Sequence, residues 1–395
     1  MVCASPLLLL RKESSKVKKI ILVSNYRSDR QQSMLRFGEI LRHNFHEQNR
    51  FAIEEIFPSP VLGKLFRYGS VKKWLAYWDK FILFPRRLKK LLAANCKKID
   101  AVHIIDHSNA PYLKTLRNYS SVKKIITCHD LIAVQTALGE FSTAPKISGT
   151  GIMLQKWIQS SLSLADFYAC DSEQTKNDLN RVIPHSKLIS KVIHLGTEFN
   201  DSSPSKASKQ KCEIPFEPDE QPFFLHVGSA AWYKNRKSVF RSFINAKKQT
   251  KLDDLKLLLV GPKIQNFEID EEIGTWLQAN QEDIVSVPHV SEPLLQNLYL
   301  NAKALIFPSH VEGFGWPPLE AASVGCPVIT TKTGAIFDLL GNYATYTNSN
   351  DQAKLNQDVI NFLKNPDKRK EKVKLPNHQD CRNEYLKLYE RISGS

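Results

Sequence analysis

The sequence predicts an α/β protein built from two doubly wound, Rossmann-like domains that face each other across a cleft. Three observations predict it. The chain has 395 residues, which is long for one core and ordinary for two. Short apolar runs flanked by charge recur along it, separated by segments of helical periodicity, the pattern of parallel strands joined by crossover helices. A stretch rich in Ser, Lys, Pro and acids, Asn200 to Pro222, interrupts the pattern, which then restarts.

The elements follow in order. KKIILVSN (Lys18–Asn25) opens the first half as a buried strand, and Met34 to Phe45 carries helical periodicity. AVHIID (Ala101–Asp106), KKIITCHD (Lys123–Asp130), DFYACDS (Asp166–Ser172) and KVIHLGT (Lys191–Thr197) are further strands. After the linker come FFLHVGS, LKLLLVGP, IVSVPHV, AKALIFPS and CPVITT. Gln379 to Ile392, with Tyr385, Leu386, Leu388 and Tyr389, reads as a packing helix. The expected division is therefore 1–199, a linker at 200–222, 223–370, and a terminal helix in 371–395.

Composition narrows the class. Hydrophobic residues make up 42% and charged residues 24%, enough for sizeable cores. The seven cysteines are scattered, without zinc spacing, as expected of reduced thiols. The start lacks a charged region ahead of its short apolar run, unlike a signal peptide. No run approaches the roughly 18 apolar residues of a membrane span. A cytoplasmic protein is expected, with membrane contact only from the side.

The chemistry concentrates in HVEGFGWPPLEAASVGCPVITT (His310–Thr331). Seven residues separate Glu312 from Glu320, among them Gly313, Gly315 and Pro317–Pro318. Glycine lets backbone approach a ligand, and proline suits a first helical turn. The free N–H groups of that helix attract anions. Two carboxylates beside them suit sugar hydroxyls. One segment thus offers a phosphate cradle and two hydroxyl acceptors.

This stretch closely resembles the glutamate–seven–glutamate signature of glycosyltransferase family 4, whose members have the two-domain GT-B fold and retain anomeric configuration. FFLHVGSAAWYKNRKSVFRSFINA, VPHVSEPLLQNLYLNAKALIFPS, TCHDL and SEQTKNDL resemble further family segments in the family's order. The resemblance implies transfer of a hexose from a UDP- or GDP-sugar to an acceptor glycan or lipid-linked sugar. It implies that Glu320 holds the ribose, that Glu312, Gly313, Phe314 and Gly315 surround the donor sugar, and that Lys234 neutralises the leaving diphosphate. Stabilising that developing charge is what a fixed cation does. Lys237 is the alternative cation. His129 would lie beside the transferred sugar, with His107 also near the cleft.

The chain departs from the family at two places. Ser33 and Leu35 stand where glycines often sit after the first strand, leaving Arg27, Arg30 and Arg36 as candidate acceptor-binding cations. Gly228–Ser229 and Tyr233 stand where an arginine often accompanies the lysine. No Asp-x-Asp triplet occurs, so no metal site and no cofactor are expected.

The net charge is +15, and residues 61 to 100 carry eleven Lys and Arg against Asp79 and Asp100. Trp74, Tyr77, Trp78 and Phe81 lie among them at helical spacing. A basic, aromatic helix suits an anionic membrane surface. No nucleic-acid recognition motif accompanies the charge. A nicotinamide dehydrogenase would need a Gly-x-Gly-x-x-Gly turn after the first strand, which SNYRSDRQ lacks. A nucleotide-sugar epimerase, a phosphorylase and a non-catalytic relative on the same frame remain as alternatives.

Overall fold

The computed structural model describes residues 17–29, 31–42, 50–64, 70–184, 189–197, 199, 214–250, 252–365 and 371–393. The chain start, Arg30 and the linker from 200 to 213 lie outside the described residues.

The first sheet contains β1 (Lys18–Val23), β2 (Phe51–Ile56), β3 (Ala101–Ile104), β4 (Lys123–Cys128), β5 (Phe167–Cys170) and β6 (Ser190–Val192). The second contains β7 (Phe223–Val227), β8 (Lys256–Val260), β9 (Ile284–Val287), β10 (Ala304–Phe307), β11 (Val328–Thr330) and β12 (Thr345–Tyr346). Their orders are β2-β1-β3-β4-β5-β6 and β12-β11-β10-β7-β8-β9, and every pairing is parallel. The winding direction reverses between β1 and β3 and again between β7 and β10. Ligand crevices open at such points, beyond the carboxyl ends of the strands. The structure is the predicted pair of doubly wound domains.

Alternation along the central strands explains the layering. In β1, Ile20 and Leu22 face the helix Gln32–Arg42, whose Phe37, Ile40 and Leu41 share their core. Ile21 and Val23 face the other way, toward Phe84 and Leu88. One apolar cluster continues from Ala169 and Leu195 through Ile214 to Phe223, Tyr299 and Leu319, so the two domains share core. β2 escaped the sequence reading because it is an edge strand: two adjacent glutamates break the apolar run of FAIEEI.

The last helix, His378–Ser393, returns to the first sheet. Tyr385 and Tyr389 are fully buried there. The Tyr389 hydroxyl lies 2.7 Å from His103 Nδ1, and the Thr127 hydroxyl joins His103 Nε2 (2.8 Å) to the Tyr385 hydroxyl (2.9 Å). Burial pushes His103 down to about 3, so the ring is neutral.

Residues 70–95 form one continuous rod: an α-helix to Trp78, a π-turn over Asp79–Leu83, and an α-helix from Phe84. Pro85 withholds the N–H that an unbroken helix would give to residue 81, which accounts for the bulge. Asp79 is buried and accepts from the amides of Val61, Leu62 and Gly63 and from the Tyr26 hydroxyl. Those bonds tie the rod to the loops after β1 and β2.

Candidate active site

The glutamate segment sits beyond the carboxyl end of β10. Gly315 adopts φ 91° and caps the helix Trp316–Ser323, with proline in its first turn. The left-handed turn is open to glycine, and a Cβ there would also meet Ile336 Cγ1 at 2.6 Å. Glu312 N–H donates to Thr333 Oγ1 (2.9 Å), and Ala335 N–H donates to the Phe314 carbonyl (3.1 Å). The loops after β10 and β11 are thus knitted together under the site.

The two carboxylates are buried and each holds a cation. Lys234 Nζ contacts both oxygens of Glu312, at 2.8 and 3.0 Å. Lys234 ends a short turn after β7, where Asn235 adopts a left-handed conformation at φ 52° and anchors through its amide to the carbonyls of Pro308 and Ser349. Arg36 Nη1 reaches across from the first domain to Glu320 Oε1 at 2.6 Å, its guanidinium 4.8 Å from the Trp316 ring centroid. Glu320 Oε2 accepts from the Tyr299 hydroxyl (3.1 Å). Burial, and after it that carboxylate, pushes Tyr299 well above its ordinary range, so it remains a donor.

His129 ends β4. Its Nδ1 lies 2.7 Å from Asp171 Oδ2 and its Nε2 lies 2.8 Å from the Ile105 carbonyl. The Ile105 carbonyl can only accept, so Nε2 donates to it; burial pushes Asp171 up as well, yet its carboxylate beside Nδ1 favours the imidazolium. Desolvation opposes that charge, but the charge and hydrogen bond of Asp171 outweigh it, raising the group to about 9. With both nitrogens committed, the part of His129 that faces the second domain is its carbonyl, which accepts from Thr175 Oγ1 (3.2 Å) and lies against Gly313.

Other groups bridge the domains. Gln174 Oε1 accepts from Gly334 N–H (2.7 Å) and Thr333 Oγ1 (3.2 Å). Trp316 Nε1 donates to the Gly196 carbonyl (2.9 Å), and the Phe141 and Trp232 rings meet at 5.3 Å.

The structure thus brings His129, Lys234, Glu312, Gly313, Phe314, Gly315 and Glu320 to one cleft. Arg36, expected on the acceptor side, instead touches the carboxylate expected to hold ribose. Arg27 stays in the first domain, over the Phe57 ring at 4.0 Å and 3.4 Å from Glu55. It borders a hollow of about 260 Å³ lined also by Ser24, Asn25, Glu39, Arg42 and Glu55. His107 is buried beside Asp106, with 3.4 Å between Nδ1 and Oδ1. Asp106 accepts from Asn25 Nδ2 (2.5 Å) and from Ser108. Lys237, the alternative cation, pairs with Asp270 at 3.2 Å. Asp171, Gln174 and Tyr299 were not singled out from sequence. Asp171 and Gln174 lie in the quoted strand end and the segment after it, but nothing local in DFYACDS marks its Asp171 as a histidine partner.

The fold and this cleft define a two-domain GT-B protein. Residues 208–374 match the family described as glycosyl transferases group 1. Over 166 residues it is 30% identical to the O-antigen chain mannosyltransferase RfbU of Salmonella typhimurium, covering 40% of this chain and 44% of that protein. Over 200 residues it is 26% identical to the serotype-specific mannosyltransferase WbdA of Escherichia coli, covering 48% of this chain and 24% of that protein. The matches therefore span less than half of these relatives. Among solved structures, sucrose-phosphate synthase from Thermosynechococcus elongatus superposes with TM-score 0.64 at 17% identity, covering 95% of this chain and 96% of that one. Anabaena HepE in complex with UDP and glucose superposes with TM-score 0.65 at 11% identity, covering 95% and 100%. At those identities the likeness is one of fold.

Proposed function

We propose that this chain is a retaining hexosyltransferase of the family 4 type, moving a sugar from a nucleoside diphosphate donor to an acceptor hydroxyl in polysaccharide or glycolipid assembly. The observation that carries the reading is the convergence in one cleft of the Lys234–Glu312 pair, Glu320, and the His129 carbonyl against Gly313. Glu320 takes the ribose hydroxyls, and Lys234 meets the diphosphate as its charge develops. Glu312, freed by that exchange, accepts from the donor sugar. The His129 carbonyl, a negative dipole end, faces the sugar where positive charge grows. The departing phosphate oxygen takes the acceptor proton on the same face, so no protein nucleophile is assigned. The crevice at β1 and β3, with Arg27 and His107, receives the acceptor.

The relatives named as mannosyltransferases favour mannose, carried on GDP or UDP, and an acceptor that is a glycan or a lipid-linked sugar. A cytoplasmic location at the inner membrane face fits such an acceptor. The test is a thermal-shift screen of UDP- and GDP-sugars, followed by product analysis with the stabilising donor. Transfer with retained configuration, lost in Glu320→Ala and Lys234→Ala, is expected. Inversion, or isomerised donor without acceptor, would overturn the reading.

A further inference from the structure

We propose that the rod spanning residues 70–95 docks this chain on an anionic lipid bilayer, with Trp74 and Trp78 seated at headgroup level. Val71, Trp74, Trp78 and Ile82 recur at helical spacing, and they are 49%, 57%, 53% and 36% exposed. Phe81, which sequence spacing grouped with the tryptophans, turns inward onto Trp157 at 5.1 Å, and Tyr77 stacks on Phe81 at 6.0 Å while meeting the edge of Trp74 at 5.9 Å. The rod is therefore held by one aromatic row and presents another to solvent. Leaving two tryptophans and two aliphatic side chains in water is unfavourable unless something covers them.

The surrounding charge says what covers them. Phe84, Leu88 and Leu92 are buried, so the solvent side of the second half of the rod carries Arg86, Arg87, Lys89 and Lys90. Asp79 lies inside, saturated by three amides and a tyrosine hydroxyl, and does not offset them at the surface. Lys80 is held by Asp29 at 2.7 Å and belongs to the protein rather than to the face. An apolar row with a rim of one sign matches an acidic bilayer, where tryptophan favours the interface and each basic group adds attraction. A protein partner would be met better by a rim of mixed sign.

The rod is also tied to the edge of the first sheet where strands end. Tyr26 bonds Asp79 at 3.1 Å and Asp29 pairs with Lys80, and both residues lie in the loop after β1. Docking here sets the acceptor crevice beside the membrane. That consequence rests on the acceptor reading proposed above, whereas the docking itself does not.

The experiment is sedimentation of the full chain with vesicles of phosphatidylcholine alone or mixed with phosphatidylglycerol, at low and high salt. The wild type pellets with the acidic vesicles, less so at high salt. Trp74→Ala/Trp78→Ala weakens partition by at least about tenfold without changing circular dichroism or melting. Arg86→Glu/Lys89→Glu removes the salt-dependent part. Brominated lipids quench the wild type more than Trp74→Phe/Trp78→Phe. Wild type that stays in the supernatant, or a tryptophan double variant that pellets equally, overturns the proposal. So does a double variant that dissociates a wild-type dimer while leaving pelleting unchanged. Transfer to a water-soluble acceptor separates the two readings: it persists in the double variant, and if it is absent in every form while vesicle binding stands, the transfer reading alone fails.

Discussion

The carbonyl oxygen of His129 packs so closely on Gly313 that a Cβ at residue 313 would lie 1.8 Å from it and 2.7 Å from its carbon. The obstacle is backbone at the end of β4, not a side chain that can swing away. Gly313→Ala therefore forces the two domains apart at the cleft. Transfer is expected to fall by about 100-fold, the loss typical of small misplacements in a reacting geometry. Steady-state kinetics beside a melting curve checks it; unchanged kcat/KM would remove this contact from the mechanism.

If Glu320 takes the donor ribose as proposed, Arg36 and the donor compete for it. The ion pair at 2.6 Å neutralises a buried carboxylate. Removing it by Arg36→Ala leaves Glu320 with the Tyr299 hydroxyl, at a cost of about 3 kcal/mol or less, since Arg36 is partly exposed. Ribose hydroxyls then fill the place without displacing anything. The donor-induced rise in Tm is expected to be larger in Arg36→Ala than in the wild type, and an equal or smaller rise counts against the competition.

Lys234→Ala should lower kcat by about 100- to 1000-fold, the range for losing one group that stabilises developing negative charge. It also strands Glu312, so Lys234→Ala/Glu312→Gln is the better-folded control. Melting of both variants separates the catalytic loss from the structural one.

The His129 imidazolium makes stability depend on pH. Its folded value of about 9 lies above the 6.5 of an ordinary histidine. The contribution is therefore full below about 6.5 and is lost as pH rises through about 9. The magnitude is on the order of 3 kcal/mol. Urea melts of the wild type should weaken across that window, and those of His129→Gln should not. Parallel curves would mean that the ring is neutral.

Tyr389 tests the returning helix. It is buried beneath the first sheet and bonds His103 at 2.7 Å. Tyr389→Ala should cost about 3–5 kcal/mol, and Tyr389→Phe about 1 kcal/mol. Denaturant titration measures both.

Much of this was legible in order along the chain. Strands such as KKIILV and KKIITC announced themselves because strands buried on both faces are apolar throughout. The glutamate segment was legible because glycine, proline and carboxylate spacing are local chemistry. β2 was missed because an edge strand tolerates the two glutamates that break its apolar run. Trp78 and Phe81 looked alike at helical spacing, and only the packing of Phe81 on Trp157 told the exposed ring from the inward one.

The sequence alone determined the two parallel-sheet domains, the site segment and the concentration of positive charge, since each depends on neighbours in the chain. Tertiary structure decided what the distant groups do. It joined Arg36 to Glu320 across 284 positions and committed both nitrogens of His129, one of them to Asp171. It sent Tyr385 and Tyr389 back to the first sheet. These pairings follow from where two domains meet, and no local preference encodes that meeting.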